Sequence, residues 1–111
     1  MAGTIKRTFG PIALTTTMTT NVYNQGSALI YDVIRHIHVA NKLAADTFNM
    51  YLGATGANAA GTELFFQYPV AAKMSYDYYC ALKMLSTDFL VGGAATTLTL
   101  VITGTGEQYV V

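Results

Sequence analysis

An antiparallel β-sandwich of about seven to nine short strands is the fold class that this sequence predicts, and three observations predict it. The chain is rich in Thr, Ala and Tyr and has only 2 prolines among its 111 residues, and β-branched and aromatic side chains suit a pleated surface. Apolar residues recur with a period of two in several short segments, while helical periodicity is hard to find. Turn-forming clusters of Gly, Asn, Ser and Asp separate those segments. These signals do not distinguish jelly-roll from immunoglobulin-like wiring. The length fits a single domain, residues 1–111, with 1–14 as a candidate extended N-terminal arm.

Thr15 to Tyr23 reads as one or two short strands, and Asn24 to Ser27 as a turn. Leu29 to Ala40 is the strongest strand. Strict alternation puts Val33, Ile37 and Val39 on one face and Asp32, Ile34, His36 and His38 on the other, wetter one. After a loop over Asn41 to Asp46, Thr47 to Leu52 alternates Phe48, Met50 and Leu52 with Thr47, Asn49 and Tyr51. The run Gly53 to Gly61 has no side chain large enough to anchor a core and reads as an exposed, mobile loop. Glu63 to Tyr68 fits a short strand or one helical turn, because Pro69 would either end a helix or sit at a sheet edge. Ser75 to Leu85 and Phe89 to Val91 read as two strands paired across a turn at Ser86 to Asp88. Thr97 to Thr103 is the cleanest half-buried strand, with Leu98, Leu100 and Ile102 on one face, and Tyr109 to Val111 could add an edge strand.

Composition narrows the function classes. Apolar residues make up 52% of the chain and charged ones 11%, against about 25% charged residues in ordinary soluble domains. Six basic and six acidic residues cancel, and no basic patch exists to neutralise a run of phosphates, so no nucleic-acid partner is expected. The single cysteine, Cys80, excludes an intramolecular disulfide and sites built from Cys pairs. The first ten residues lack the apolar segment of a secretory signal, which places the chain inside a cell as an expectation. Two uncharged stretches, Thr8 to Tyr31 and Phe89 to Gly106, are interrupted by Thr, Asn, Gln and Gly, so no membrane span is expected.

Few residues could do chemistry. His36 and His38 are two apart on a strand and point the same way, so both could meet one metal, with Asp32 further along that face as a third ligand. A zinc site normally takes three protein ligands and supporting groups, and the pair is read instead as surface or interface histidines. Cys80 lies in an apolar run with no flanking base and reads as a structural thiol. No GxGxxG, P-loop or HExxH motif occurs. Tyr76, Tyr78 and Tyr79 could stack on sugars or bases, although alternate tyrosines of a strand more often pack in a core or interface. The expectation is therefore a non-enzyme with no catalytic, cofactor-binding or metal-binding residues. A charge deficit together with 18 Tyr, Phe and Met residues (8, 5 and 5) suits permanent burial against other subunits.

The segments VIRHIHVAN (Val33 to Asn41), DTFNMYLG (Asp46 to Gly53) and SYDYYCALKMLSTDFL (Ser75 to Leu90), closed by LTLVITGTGE (Leu98 to Glu107), resemble small structural proteins of tailed bacteriophages. The resemblance covers most of the chain after about Leu29 and carries no catalytic motif. It implies a virion component assembled in the host cytoplasm: a decoration, or cement, protein on the capsid exterior, often a homotrimer bound to the major capsid protein, or else a neck or tail protein. The N-terminal arm and the Gly53 to Gly61 loop are the expected bridging elements.

Overall fold

The computed structural model describes residues 3–24, 26–53 and 61–111. Eight strands follow one another: β1 (Thr4–Ala13), β2 (Thr20–Tyr23), β3 (Ile30–Asn41), β4 (Asp46–Gly53), β5 (Glu63–Val70), β6 (Ser75–Met84), β7 (Phe89–Ala94) and β8 (Leu100–Val110). They form two four-stranded sheets, ordered β1-β8-β3-β6 and β2-β7-β4-β5, and every pairing is antiparallel. The pairs nest, β1 with β8, β2 with β7, β3 with β6 and β4 with β5, which is the wiring of a jelly roll. An immunoglobulin-like sandwich would instead group its strands as ABED and CFG. Among the described residues no helix is long and apolar enough to cross a membrane.

The core lies between the sheets. Ile34, Ile37 and Val39 of β3, Leu100 and Ile102 of β8 and Met84 of β6 meet Phe48 and Met50 of β4 and Leu90 of β7. Aromatic rings close one side of it. Phe65 packs on Phe48 at 5.1 Å and edge-on to Tyr78 at 4.9 Å, while Tyr68 lies 4.3 Å from Tyr76, within the range of favourable ring contacts. β8 runs through the middle of its sheet because two of its residues have no side chain. A Cβ at Gly104 would stand 2.3 Å from the ring of Phe9, and one at Gly106 would stand 2.1 Å from the carbonyl oxygen of Val33.

Several expectations are corrected. The candidate arm is strand β1, hydrogen-bonded along β8, and the following Leu14 is fully buried; it leaves solvent because Phe9 and Leu14 complete the core. The segments expected to pair across Ser86 to Asp88 separate instead, β6 at the edge of one sheet and β7 inside the other, so that turn crosses between layers. The closing strand starts later and runs further than expected: Leu98 is exposed with φ +64° in the turn before β8, and the C-terminal residues continue β8 between β1 and β3. The open segment after Gly61 is a strand, and Pro69 sits on an edge strand, where proline is tolerated. Residues 54–60 of the expected Gly53 to Gly61 loop lie outside the described residues.

Strict alternation also fails within β3. The register shifts between Ile34 and His36 on both sides: opposite β8 Arg35 is one extra residue, accommodated in a bulge, and opposite β6 the two residues Cys80 and Ala81 face Arg35 alone. Asp32 and Ile34 point inward before the bulge and Ile37, Val39 and Asn41 after it. Val33 is therefore not on the face of Ile37 and Val39, and Asp32 and Ile34 are not on the face of the histidines.

Buried Asp32 ties the two sheets together at one end of the sandwich. Tyr23 of β2 donates its hydroxyl to Asp32 Oδ2, Gln108 of β8 donates to Oδ1 at 3.4 Å, and the Lys6 ammonium of β1 lies 3.5 Å from Oδ1. Burial, then the hydrogen bond to Asp32, raises the Tyr23 pKa far above its ordinary 10.0. Because the folded value is raised, its contribution is intact below the unfolded pKa and is lost as pH rises above it. Urea unfolding on either side of pH 10.0 is expected to show stability falling more steeply with pH in the native protein than in Tyr23→Phe. Equal slopes would contradict the assignment.

Candidate functional site

The bulge at Arg35 turns both histidines to the outer face of the β1-β8-β3-β6 sheet. Residues two apart on a strand share a face, and β6 supplies what β3 lacks: in the antiparallel register His38 stands opposite Asp77 and His36 opposite Tyr79. Asp77 Oδ1 lies 2.7 Å from His36 Nε2 and 2.6 Å from His38 Nδ1, so one carboxylate oxygen receives both imidazoles. The Tyr79 ring stacks on His36 with centroids 4.6 Å apart and an interplanar angle of 9°, although Tyr79 itself is 74% exposed. Hydrogen bonds from His38 and then His36 hold the Asp77 carboxyl below the usual carboxylate range.

The third acidic partner expected for the histidine pair, Asp32, is thus replaced by Asp77. Asp32 is fully buried on the opposite face of β3, engaged with Tyr23, Gln108 and Lys6. Asp77 lies 39 residues from His38 in the chain, and only the pairing of β3 with β6 brings them together. The signal that could have found it is the alternation in SYDYYCALKM, which puts Asp77 and Tyr79 on one face, given that β6 pairs with β3.

Other candidates are separated or spent. Tyr76 and Tyr78 face the core while Tyr79 faces out, so the three tyrosines do not make one stacking platform. Cys80 points inward, its thiol donates to the Ile34 carbonyl at 3.3 Å, and burial pushes its pKa up, as befits a structural thiol. Arg35 and Glu107 pair at 3.1 Å, with Tyr109 also donating to Glu107, and hydrogen bonding to Tyr109 and then Arg35 lowers the Glu107 pKa. A groove of about 490 Å³ lined by Ala45, Asp46, Thr47, Pro69, Val70 and Ala71 opens at one end of the sandwich. Its carboxylate, Asp46, accepts backbone N–H groups from Thr47 at 2.8 Å and Thr96 at 3.2 Å.

Apolar side chains are exposed at both ends. Asn41 Nδ2 donates to the carbonyls of Ala44 and Val70, which draws together the turns that carry exposed Leu43 and Met74, and exposed Leu98 precedes Leu100, which stands opposite Asn41. At the other end Val111 donates its N–H to the Leu29 carbonyl, and these residues are 78% and 75% exposed.

Comparison with protein-family models finds no match, and comparison with curated proteins finds no similar sequence.

Proposed function

We propose that this chain is a non-enzymatic structural protein of a phage virion, a decoration protein that binds the outside of the capsid shell and stabilises it as a homotrimer on the major capsid protein. The phage assignment rests on the motif resemblance. The assembly role rests on the state of the sheet edges, of which β6 carries the reading. Strand β2 has four residues, and β1 and β5 carry Pro11 and Pro69 and shifted registers, all devices that blunt an edge. Strand β6 has ten residues and no proline, and among the described residues no strand pairs with its outer side. Its charges do not guard it: Asp77 is held by the histidines, and the Lys83 ammonium sits 4.5 Å over the Tyr31 ring. A long open edge of this kind suits strand addition by a partner, with the exposed apolar ends adding contact area.

Purified protein added to undecorated heads is expected to raise their melting temperature with rising concentration until the sites saturate. An unchanged melting temperature at saturating occupancy would overturn cementing. Light scattering is expected to give a trimer, matching a three-fold site; a larger closed ring would move the reading to the neck or tail of the particle.

A further inference from the structure

We propose that His36, His38 and Asp77 together bind one divalent transition-metal ion of the zinc class on the outer face of the β1-β8-β3-β6 sheet. Two imidazoles and a carboxylate are a borderline N/O donor set that suits such ions and not the hard, all-oxygen cations. The three ligand atoms all lie within 4.8 Å of one another. A bound ion at about 2.0–2.2 Å from each ligand would separate them by roughly 3.3–3.5 Å. Asp77 Oδ1 now lies 2.6–2.7 Å from the two nitrogens. The carboxylate therefore has to withdraw by less than about 1 Å, and the widest spacing in the set, up to 4.8 Å, has to close by roughly 1.3 Å, which rotation of these part-exposed side chains can supply.

The ion would take the place of the two N–H protons that now point at Asp77. Each neutral imidazole keeps its proton by moving it to the other ring nitrogen, so the exchange needs no further reactant. The surroundings favour the arrangement. Tyr79 stacked on His36 fixes one ring plane, the ladder between β3 and β6 fixes the spacing of the side chains, and pairing with Glu107 neutralises Arg35 at the bulge. Three protein ligands on an open face leave at least one coordination position for water or for a group from another molecule. The site shares Asp77 of β6 with the virion reading but does not rest on it, since strand addition and the exposed ends do not enter into metal binding.

The test is titration of the purified full chain with zinc chloride by calorimetry, and with cobalt chloride by visible absorption. One ion per chain is expected, with His36 and His38 ring resonances shifting in step with occupancy. His38→Gln and Asp77→Asn are each expected to weaken zinc binding by tenfold or more, as loss of a ligand should exceed the roughly 10–100-fold seen for lost supporting groups. Cys80→Ser is expected to leave binding unchanged. Unchanged metal-free melting temperatures would show the variants to be folded, and the wild-type ring resonances report on the site without any substitution. No saturable binding, or equal binding by wild type and both ligand variants, would overturn the site.

Discussion

Asp32→Ala is expected to cost about 3 kcal/mol of folding stability, because breaking a buried charged network by removing one member strands the rest. In this protein the stranded groups would be the Tyr23 hydroxyl, the Gln108 amide and the Lys6 ammonium, which come from three different strands. Each lost buried hydrogen-bond partner contributes on the order of 1 kcal/mol, and Lys6, 30% exposed, can turn its ammonium to water and limit the loss. Urea denaturation would read the change directly, and a thermal scan should show the midpoint falling by about 10 °C or more. Asp32→Asn keeps the volume and an acceptor and is expected to lose less. A loss in the alanine variant near that of an ordinary surface substitution, within about 0.5 kcal/mol, would show that the network does not hold the sheets together.

Gly106→Ala is expected to be at least as damaging, about 3 kcal/mol or more, since it forces an atom into a packed interior. The added Cβ would stand 2.1 Å from the Val33 carbonyl oxygen and 3.0 Å from Ile34 Cα. Both are backbone atoms of β3 just before its bulge, so no side chain can rotate away, and relief requires β3 and β8 to move apart. Gly61→Ala is a useful contrast: nothing lies within 4 Å of its added Cβ, and only the positive φ of +94° opposes it, a cost of about 1 kcal/mol. Chemical denaturation of both variants would check the ranking. Equal losses would mean that the approach of β8 to β3 is not tight. Because the bulge aims His36 and His38, a folded Gly106→Ala protein should also show altered ring resonances for both.

The sequence by itself determined the class of structure. Alternation of apolar and polar residues is local, so Phe48, Met50 and Leu52 on one face of β4, and Leu100 and Ile102 on one face of β8, were legible without any partner strand. The scarcity of prolines and the turn at Ser86 to Asp88 are read from backbone chemistry alone, whereas Pro69 was compatible with a helix end or a sheet edge until the pairing of β5 decided it. The histidine pair was legible too, because spacing by two is enough to set a shared direction.

Pairing was not legible. β1 closes the sheet against β8 from the far end of the chain, and β6 leaves its sequence neighbour β7 for β3; such choices depend on which buried faces fit together across the sandwich, which no local window contains. The bulge at Arg35 belongs to the same class. It adds one residue to β3 opposite β8, while β6 in turn carries one residue more than β3 over the same stretch, and that irregularity inverts the faces assigned by strict alternation. Asp32 thereby goes to the core, and the histidines face outward beside an aspartate on another strand. The local pattern thus set which residues could face a core, and the tertiary structure decided which core-facing and solvent-facing residues meet, because register is fixed only when two strands pack side by side.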